Sequence, residues 1–286
     1  MLDRLRASGI TIEEEVMKIA FIGAGVMGEA MIAAILRKKV ADRGSIVACD
    51  VAPARLSAIS KKYKVHCTPD CRSAVKGCDL VVLSIKPQMI ARVMSDLKGE
   101  LKEGHLVLSI VAGATIETIS KGLKHEAVVR VMPNTPAQIG QGMSVWTGTS
   151  AVTQVQKETA QSILAAMGKE IYVADEKYID MATAISGSGP AYIFLITEAL
   201  TDAAVHIGLH RKLAEELVTQ TLLGSAHMVR DTGKHPAELK NMVTSPGGTT
   251  AEGLLCLEKA GIRGILAQAI IAAYEKVHVL GGLGSK

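Results

Sequence analysis

Met17-Lys18-Ile19-Ala20-Phe21-Ile22-Gly23-Ala24-Gly25-Val26-Met27-Gly28 is the stretch that decides how this chain folds. A short apolar run ends in glycine, and helical period begins at once over Val26 to Lys38. Such a run predicts a buried strand feeding a helix. In that setting the G-x-G-x-x-G spacing carries weight that a lone match would not. Gly23 allows the tight turn, Gly25 lets backbone approach a diphosphate, and Gly28 lets helix pack on strand. The first amides of the helix, those of Val26 and Met27 included, have no internal acceptor and favour an anion. We therefore expect Gly23, Gly25, Val26, Met27 and Gly28 to hold a dinucleotide.

Outward from this unit, strands and helices alternate. Strands are predicted at Ser45 to Asp50, Val65 to Cys67, Leu80 to Ile85, His105 to Val111 and Ala127 to Met132. The segment Pro53 to Lys62 is a helix with proline in its first turn. This alternation implies an α/β fold with a parallel, doubly wound sheet. Gly142 to Thr147 and Glu170 to Val173, flanking a helix at Val152 to Met167, should extend the sheet. Beyond Val173 no strand signal is present up to Lys276. Helices are predicted at Pro190 to Ile207, Arg211 to Arg230, Thr250 to Lys259 and Ile262 to Val279, the first opened by proline after Ser186-Gly187-Ser188-Gly189. The expected organisation is a dinucleotide-binding domain over 17–174 and an all-α domain over 175–286. The last helices are more apolar than one small bundle can bury, so a second copy of the chain should cover them. Met1 to Val16 has no clear element; a disordered extension and an upstream start codon both stay open.

Composition narrows the function classes. Of 286 residues 48% are hydrophobic and only 3% aromatic, and the formal net charge is +4. Scattered basic residues and scarce aromatics give nucleic-acid binding little support. No uninterrupted apolar run reaches the ~18 residues of a membrane span, and no signal-peptide core precedes Met17. The cysteines, Cys49, Cys67, Cys71, Cys78 and Cys256, are odd in number and lack C-x-x-C spacing. That fits a reduced, cytoplasmic protein with cysteines as small apolar residues and no metal site.

The strand ends supply the remaining candidates on the nucleotide side. Asp50 follows the glycines by the interval at which an acid bonds the adenosine ribose. Its charge favours NADH over NADPH; Arg55, a helical turn on, softens that preference, and a helix-cap role is compatible. Ile85-Lys86-Pro87, Ala112-Gly113 and Asn134 close the fourth, fifth and sixth strands, where the cofactor crevice lies in such sheets. Asn134, between Pro133 and Pro136, has turn chemistry as its alternative.

A second anion cradle lies near the other end. Ser245-Pro246-Gly247-Gly248-Thr249-Thr250 is a Pro-Gly-Gly turn feeding a helix start, whose amides suit a small carboxylate and whose hydroxyls reach a ligand. The histidines compete weakly. His206 and His210 have i, i+4 spacing, but Gly208 between them should end the helix, and His235 is a helix-start residue. Two anion cradles, one for a cofactor and one for a small acid, describe a reductase.

Gly23 to Gly28, Ser84-Ile85-Lys86-Pro87, Met132-Pro133-Asn134-Thr135-Pro136, Ser186-Gly187-Ser188-Gly189-Pro190-Ala191-Tyr192, and the run from His235-Pro236 through Ser245 to Thr250 and Leu257-Glu258 together resemble pyrroline-5-carboxylate reductase. The resemblance covers Met17 to about Leu280. It implies a Rossmann domain followed by a helical dimerisation domain, and reduction of 1-pyrroline-5-carboxylate to L-proline with NADH or NADPH. It also implies that Ser245, Gly247, Gly248, Thr249 and Thr250 hold the substrate carboxylate and that the Thr250 hydroxyl bonds the ring nitrogen. A homodimer, or a larger oligomer built from it, follows likewise. Two positions depart from the family. Relatives often have Asn-Arg-Ser or similar, suiting NADP, where this chain has Cys49-Asp50-Val51, and an asparagine that reaches the cofactor near Cys71. The rival readings are a β-hydroxyacid dehydrogenase or imine reductase of the same build, with Lys240 as nearest candidate for the needed lysine, and a non-catalytic dinucleotide sensor.

Overall fold

The structure, a computed structural model, describes residues 17–280; the expected extension over 1–16 lies outside them. These residues divide into two compact units, 17–183 with 277–280, and 184–276. The sequence places the change of character at Asp175, whereas the first unit keeps the chain as far as Thr183. The reason is a buried ion network described below.

The first unit is built on one eight-stranded sheet. Its strands are β1 (Ile19–Ile22), β2 (Ile46–Cys49), β3 (His66–Thr68), β4 (Leu80–Leu83), β5 (Leu106–Ser109), β6 (Val128–Met132), β7 (Gly142–Gly148) and β8 (Gly168–Tyr172), in the order β3-β2-β1-β4-β5-β6-β7-β8. The first six run parallel, as expected. The strand β7 is antiparallel to β6, and β8 parallel to β7. Only the short turn Thr135–Ile139 joins β6 to β7, too little chain for a crossover, so the direction reverses.

Helices α1 (Val26–Arg37), α2 (Pro53–Tyr63), α3 (Cys71–Val75), α4 (Ile90–Leu97), α5 (Ile116–Leu123), α6 (Gln154–Ala166) and α7 (Lys177–Ala182) complete this unit. Alternate residues of one strand serve opposite faces: Ile19 and Phe21 join one core cluster, Ala20 and Ile22 the other. A sheet buried on both faces explains why β1, β4, β5 and β6 read as continuous apolar runs. The α6 start has a capping box in which Thr153 and Gln156 satisfy each other's backbone amides. Neither α3 nor α7 was expected, because five or six residues are too few to show a helical period.

Two carboxylates hold α7 to the sheet. Arg130, on β6 and 2% exposed, donates to Glu176 Oε1 at 2.7 Å and to Asp180 Oδ1 at 2.6 Å. Glu176 Oε1 also accepts the Ile116 amide at 2.8 Å.

The second unit contains α8 (Gly189–His206), α9 (Arg211–Thr232), α10 (Pro236–Met242), α11 (Thr249–Lys259) and most of α12 (Ile262–Leu280). Gly233, at φ +64°, ends α9. Thr183–Gly187 forms a π turn that leads into α8. The helices bury little within one chain; Phe194, Leu195, Leu223, Ile265 and Ile271 all stand exposed. By length and mean hydropathy (1.2) the helical stretch Lys177–His206 is long and apolar enough to cross a membrane.

Candidate functional site

The glycine turn is shaped as its sequence requires. Gly23 has φ +99° and donates its amide to Cys49 O at 2.8 Å. A Cβ there would lie 2.5 Å from Ser84 O. A Cβ on Gly28 would lie 2.5 Å from Gly23 O and 2.9 Å from Ser84 Oγ. Ser84 Oγ itself donates to Gly23 O at 2.6 Å, so β4 pins the turn. Gly25 differs: it caps α1 in an ordinary extended conformation, and a Cβ there would meet nothing within 4 Å. Glycine at 25 therefore leaves open the space in front of the first α1 amides, those of Val26, Met27 and Gly28. That space fits a diphosphate.

The turn sits at the point where strand order reverses, between β1 and β4. A cleft of about 260 Å³ opens there, lined among others by Gly23, Gly25, Asp50, Ile85 and Lys86. Sequence-predicted Val26, Met27, Gly28, Pro87, Ala112, Gly113 and Asn134 are not among its lining residues. Pro87 opens the short turn that follows Lys86. Ala112 and Gly113, the latter at φ +75°, follow β5 on the same carboxyl edge of the sheet. Asn134 Oδ1 accepts the Met143 amide at 2.8 Å, fixing the start of β7.

Asp50 does more than its sequence position suggests. Its Oδ2 accepts the Ala24 amide at 2.8 Å and its Oδ1 the Ala52 amide at 3.0 Å. It thus ties the glycine turn to the end of β2. It is not the cap of α2, whose N-cap is Ala52 with no side-chain bond. Arg55 is similarly occupied: Nε donates to Ala24 O, and Nη2 to Gly25 O at 3.2 Å and to Glu29 Oε2. Glu29 also accepts from Lys62 at 2.8 Å and Tyr63 at 2.9 Å. The Lys62 ammonium, with Tyr63 and Arg55 beside it and partial burial opposing them, holds the Glu29 carboxyl down at about 2. This brace under the turn, spread over α1 and α2, escaped the sequence reading; the i, i+7 spacing of Arg55 and Lys62 was its only trace.

In the second unit, Gly247 has φ +66° and the Ser245–Gly248 turn closes by Gly248 N–H donating to Ser245 O at 3.1 Å. The Gly248 amide is thus engaged within the turn. A Cβ at Gly248 would lie 2.4 Å from Ser245 Oγ, so a larger residue there would displace that hydroxyl. Gly248 caps α11, and Thr249 and Thr250 occupy the first two helical positions, whose amides have no acceptor within the helix. Thr249 is exposed and Thr250 half-buried.

The competing residues fall away individually. His206 ends α8 and His210 caps α9, with Gly208 at φ +108° between them, so they share no helix. His235 caps α10, its Nδ1 accepting the Ala237 amide at 3.2 Å. Among the described residues no three His, Cys, Asp or Glu side chains converge on one point. Cys67 and Cys78 bond Val65 O and Ala74 O, and Cys49 and Cys71 meet each other in the cleft at the switch point.

Known proteins agree with this architecture. Residues 176–280 match the family model described as pyrroline-5-carboxylate reductase dimerisation, and residues 18–113 that described as NADP oxidoreductase, coenzyme F420-dependent. The pyrroline-5-carboxylate reductase of Synechocystis is 39% identical over 265 residues, which are 93% of this chain and 98% of that one. The structure of a pyrroline-5-carboxylate reductase from Coxiella burnetii, 37% identical, superposes with a TM-score of 0.84 over 93% of this chain and 99% of its own. The Plasmodium falciparum pyrroline carboxylate reductase with NADP bound, 32% identical, gives 0.86 over 94% and 99%. With a cleft at the switch point of its sheet and this degree of likeness along nearly its whole length, the chain belongs to the pyrroline-5-carboxylate reductase family of NAD(P)H-dependent oxidoreductases.

Proposed function

We propose that this chain converts 1-pyrroline-5-carboxylate to L-proline, and that the Ser245 to Thr250 turn binds the substrate. The cofactor, held by the glycine turn and the cleft beside it, supplies the hydride. What the protein must add is modest. A cyclic imine is basic, its protonated form accepts hydride at the adjacent carbon, and the product amine already carries its proton. No strong general acid is needed. The Thr249 and Thr250 amides, aided by the α11 dipole, neutralise the substrate carboxylate. Thr250 Oγ accepts from the iminium N–H and turns the ring. Orientation of two flat reactants can supply up to ~7–11 kcal/mol in favourable cases.

Asp50 adds negative charge at the ribose end of the cleft, which supports NADH as the preferred donor. The exposed apolar surface of the helical unit supports a homodimer through its C-terminal helices as the base of a larger assembly, in the cytoplasm and off the membrane. The observation that carries the reading is the 245–250 turn, an amide-rich helix start with two adjacent hydroxyls. A nucleotide sensor has no use for this second cradle, and a hydroxyacid dehydrogenase would need a catalytic lysine, for which Lys240 on α10 is the nearest candidate. Purified protein should form proline from 1-pyrroline-5-carboxylate, faster with NADH than with NADPH at equal concentration. Turnover of hydroxyisobutyrate-type acids instead would refute the reaction, and a strong NADPH preference would refute the role of Asp50.

A further inference from the structure

Cys49 ends β2 and Cys71 opens α3, yet the fold brings their Sγ atoms to 2.9 Å. Both side chains line the cleft that also contains Gly23, Gly25 and Asp50. A small closing movement would separate this arrangement from a disulfide, whose sulfurs lie about 2.05 Å apart. The remaining cysteines have no such partner: Cys67 and Cys78 bond backbone carbonyls, and Cys256 stands exposed on α11.

The two thiols are unequal. Cys49 is buried, and its bond to Cys71, with burial and nearby Asp50 adding to it, pushes its proton affinity up. Cys71 is half-buried, and its bond to Cys49, helped by the Arg92 charge, lowers its proton affinity, against partial burial and the carboxylates of Asp96 and Asp70. A thiol of lowered proton affinity, 2.9 Å from a second thiol in one cleft, is the arrangement of a reactive and a resolving cysteine.

We propose that Cys49 and Cys71 form a redox modification site, at which a peroxide closes a reversible disulfide that weakens nucleotide binding. The inference rests on reading the cleft as the nucleotide site. In the first step the Cys71 thiolate attacks one peroxide oxygen; the O–O bond breaks, and the departing oxygen takes up a proton and leaves as water. Cys71 becomes a sulfenic acid. Cys49 sulfur then attacks Cys71 sulfur, the S–O bond breaks, and the hydroxyl leaves as a second water with the Cys49 proton. Two thiols lose two electrons in all, and one peroxide gains them. The coupling to the nucleotide runs through the backbone. Cys49 O holds the Gly23 amide, and neighbouring Asp50 holds that of Ala24. Drawing Cys49 towards α3 therefore pulls on both anchors of the glycine turn.

The test treats the reduced full-length chain with hydrogen peroxide, blocks residual thiols, and maps the peptides. Nucleotide affinity is followed by NADH fluorescence, alongside proline formation. The expected product is a 49–71 linked peptide pair lighter by about 2 Da. The NADH Kd should rise by about tenfold and recover in dithiothreitol. Cys71→Ser and Cys49→Ser should each lose the peroxide response relative to their own untreated state, with Cys49→Ala taking the place of a serine that fails to fold. Absence of the link, a link that leaves Kd unchanged, or a peroxide response persisting in both variants overturns the proposal. A chain that makes proline before treatment but forms no link under peroxide sinks the dithiol site alone. An untreated chain that turns over no imine sinks the functional reading, and the Kd measurement still decides the dithiol.

Discussion

Three glycines of one turn do different things, and they can be told apart. Gly23 and Gly28 are required by the protein itself, because a Cβ at either would run into backbone. Gly25 is required only by what stands in front of it. Gly25→Ala should therefore leave Tm close to wild type while raising the NAD(P)H KM by about tenfold or more. Differential scanning fluorimetry beside steady-state kinetics checks this, and an unfolded variant would assign Gly25 to the fold instead. Thr250 carries the corresponding question for the substrate. Thr250→Ala should lower kcat/KM about tenfold or more, on the order of 1.4 kcal/mol, without a matching loss of stability. Unchanged kinetics would remove Thr250 from the chemistry. Asp50 and Gly248 show where a residue's chemistry is legible and its employment is not. Their types announce an acid and a tight turn, but only the fold reveals that both Asp50 oxygens and the Gly248 amide already have backbone partners.

Two charge networks of the first unit fasten elements to one another. Under the glycine turn, Glu29 on α1 takes Lys62, Tyr63 and Arg55 from α2. Its carboxyl is lowered from 4.5 to about 2, so its contribution is fully present above pH 4.5 and is lost as pH falls towards 2. The Tm advantage of wild type over Glu29→Gln should accordingly be constant near neutrality and shrink below pH 4.5; an advantage that grows on acidification would contradict the brace. Behind β6, Arg130 is the largest fully buried side chain and is paired with Glu176 and Asp180. Arg130→Met leaves Asp180, itself buried, without its partner and should cost about 3–5 kcal/mol, measurable by denaturant unfolding. This network also explains why α7 stays with the sheet. Short helices such as α3 and α7 are set by such tertiary anchors and by a cap such as Asp70, which accepts the Arg72 amide at 3.0 Å, and not by a period of their own.

At the scale of the whole molecule, the helical unit leaves much of its apolar surface exposed, in a chain whose C-terminal part belongs to a dimerisation family. The purified chain should sediment as a dimer or a multiple of one at micromolar concentration without detergent. A monodisperse monomer, or a requirement for detergent, would overturn that assignment.

The sequence by itself determined the parallel sheet, the glycine turn and the helical second half, because burial on both faces, a left-handed turn and a helical period each constrain residues close together along the chain. Tertiary structure alone decided the reversed direction of β7, the full employment of Asp50 and Arg55, and the meeting of Cys49 with Cys71. These depend on which distant segments the sheet order places side by side, and distance in the fold leaves no local pattern in the chain.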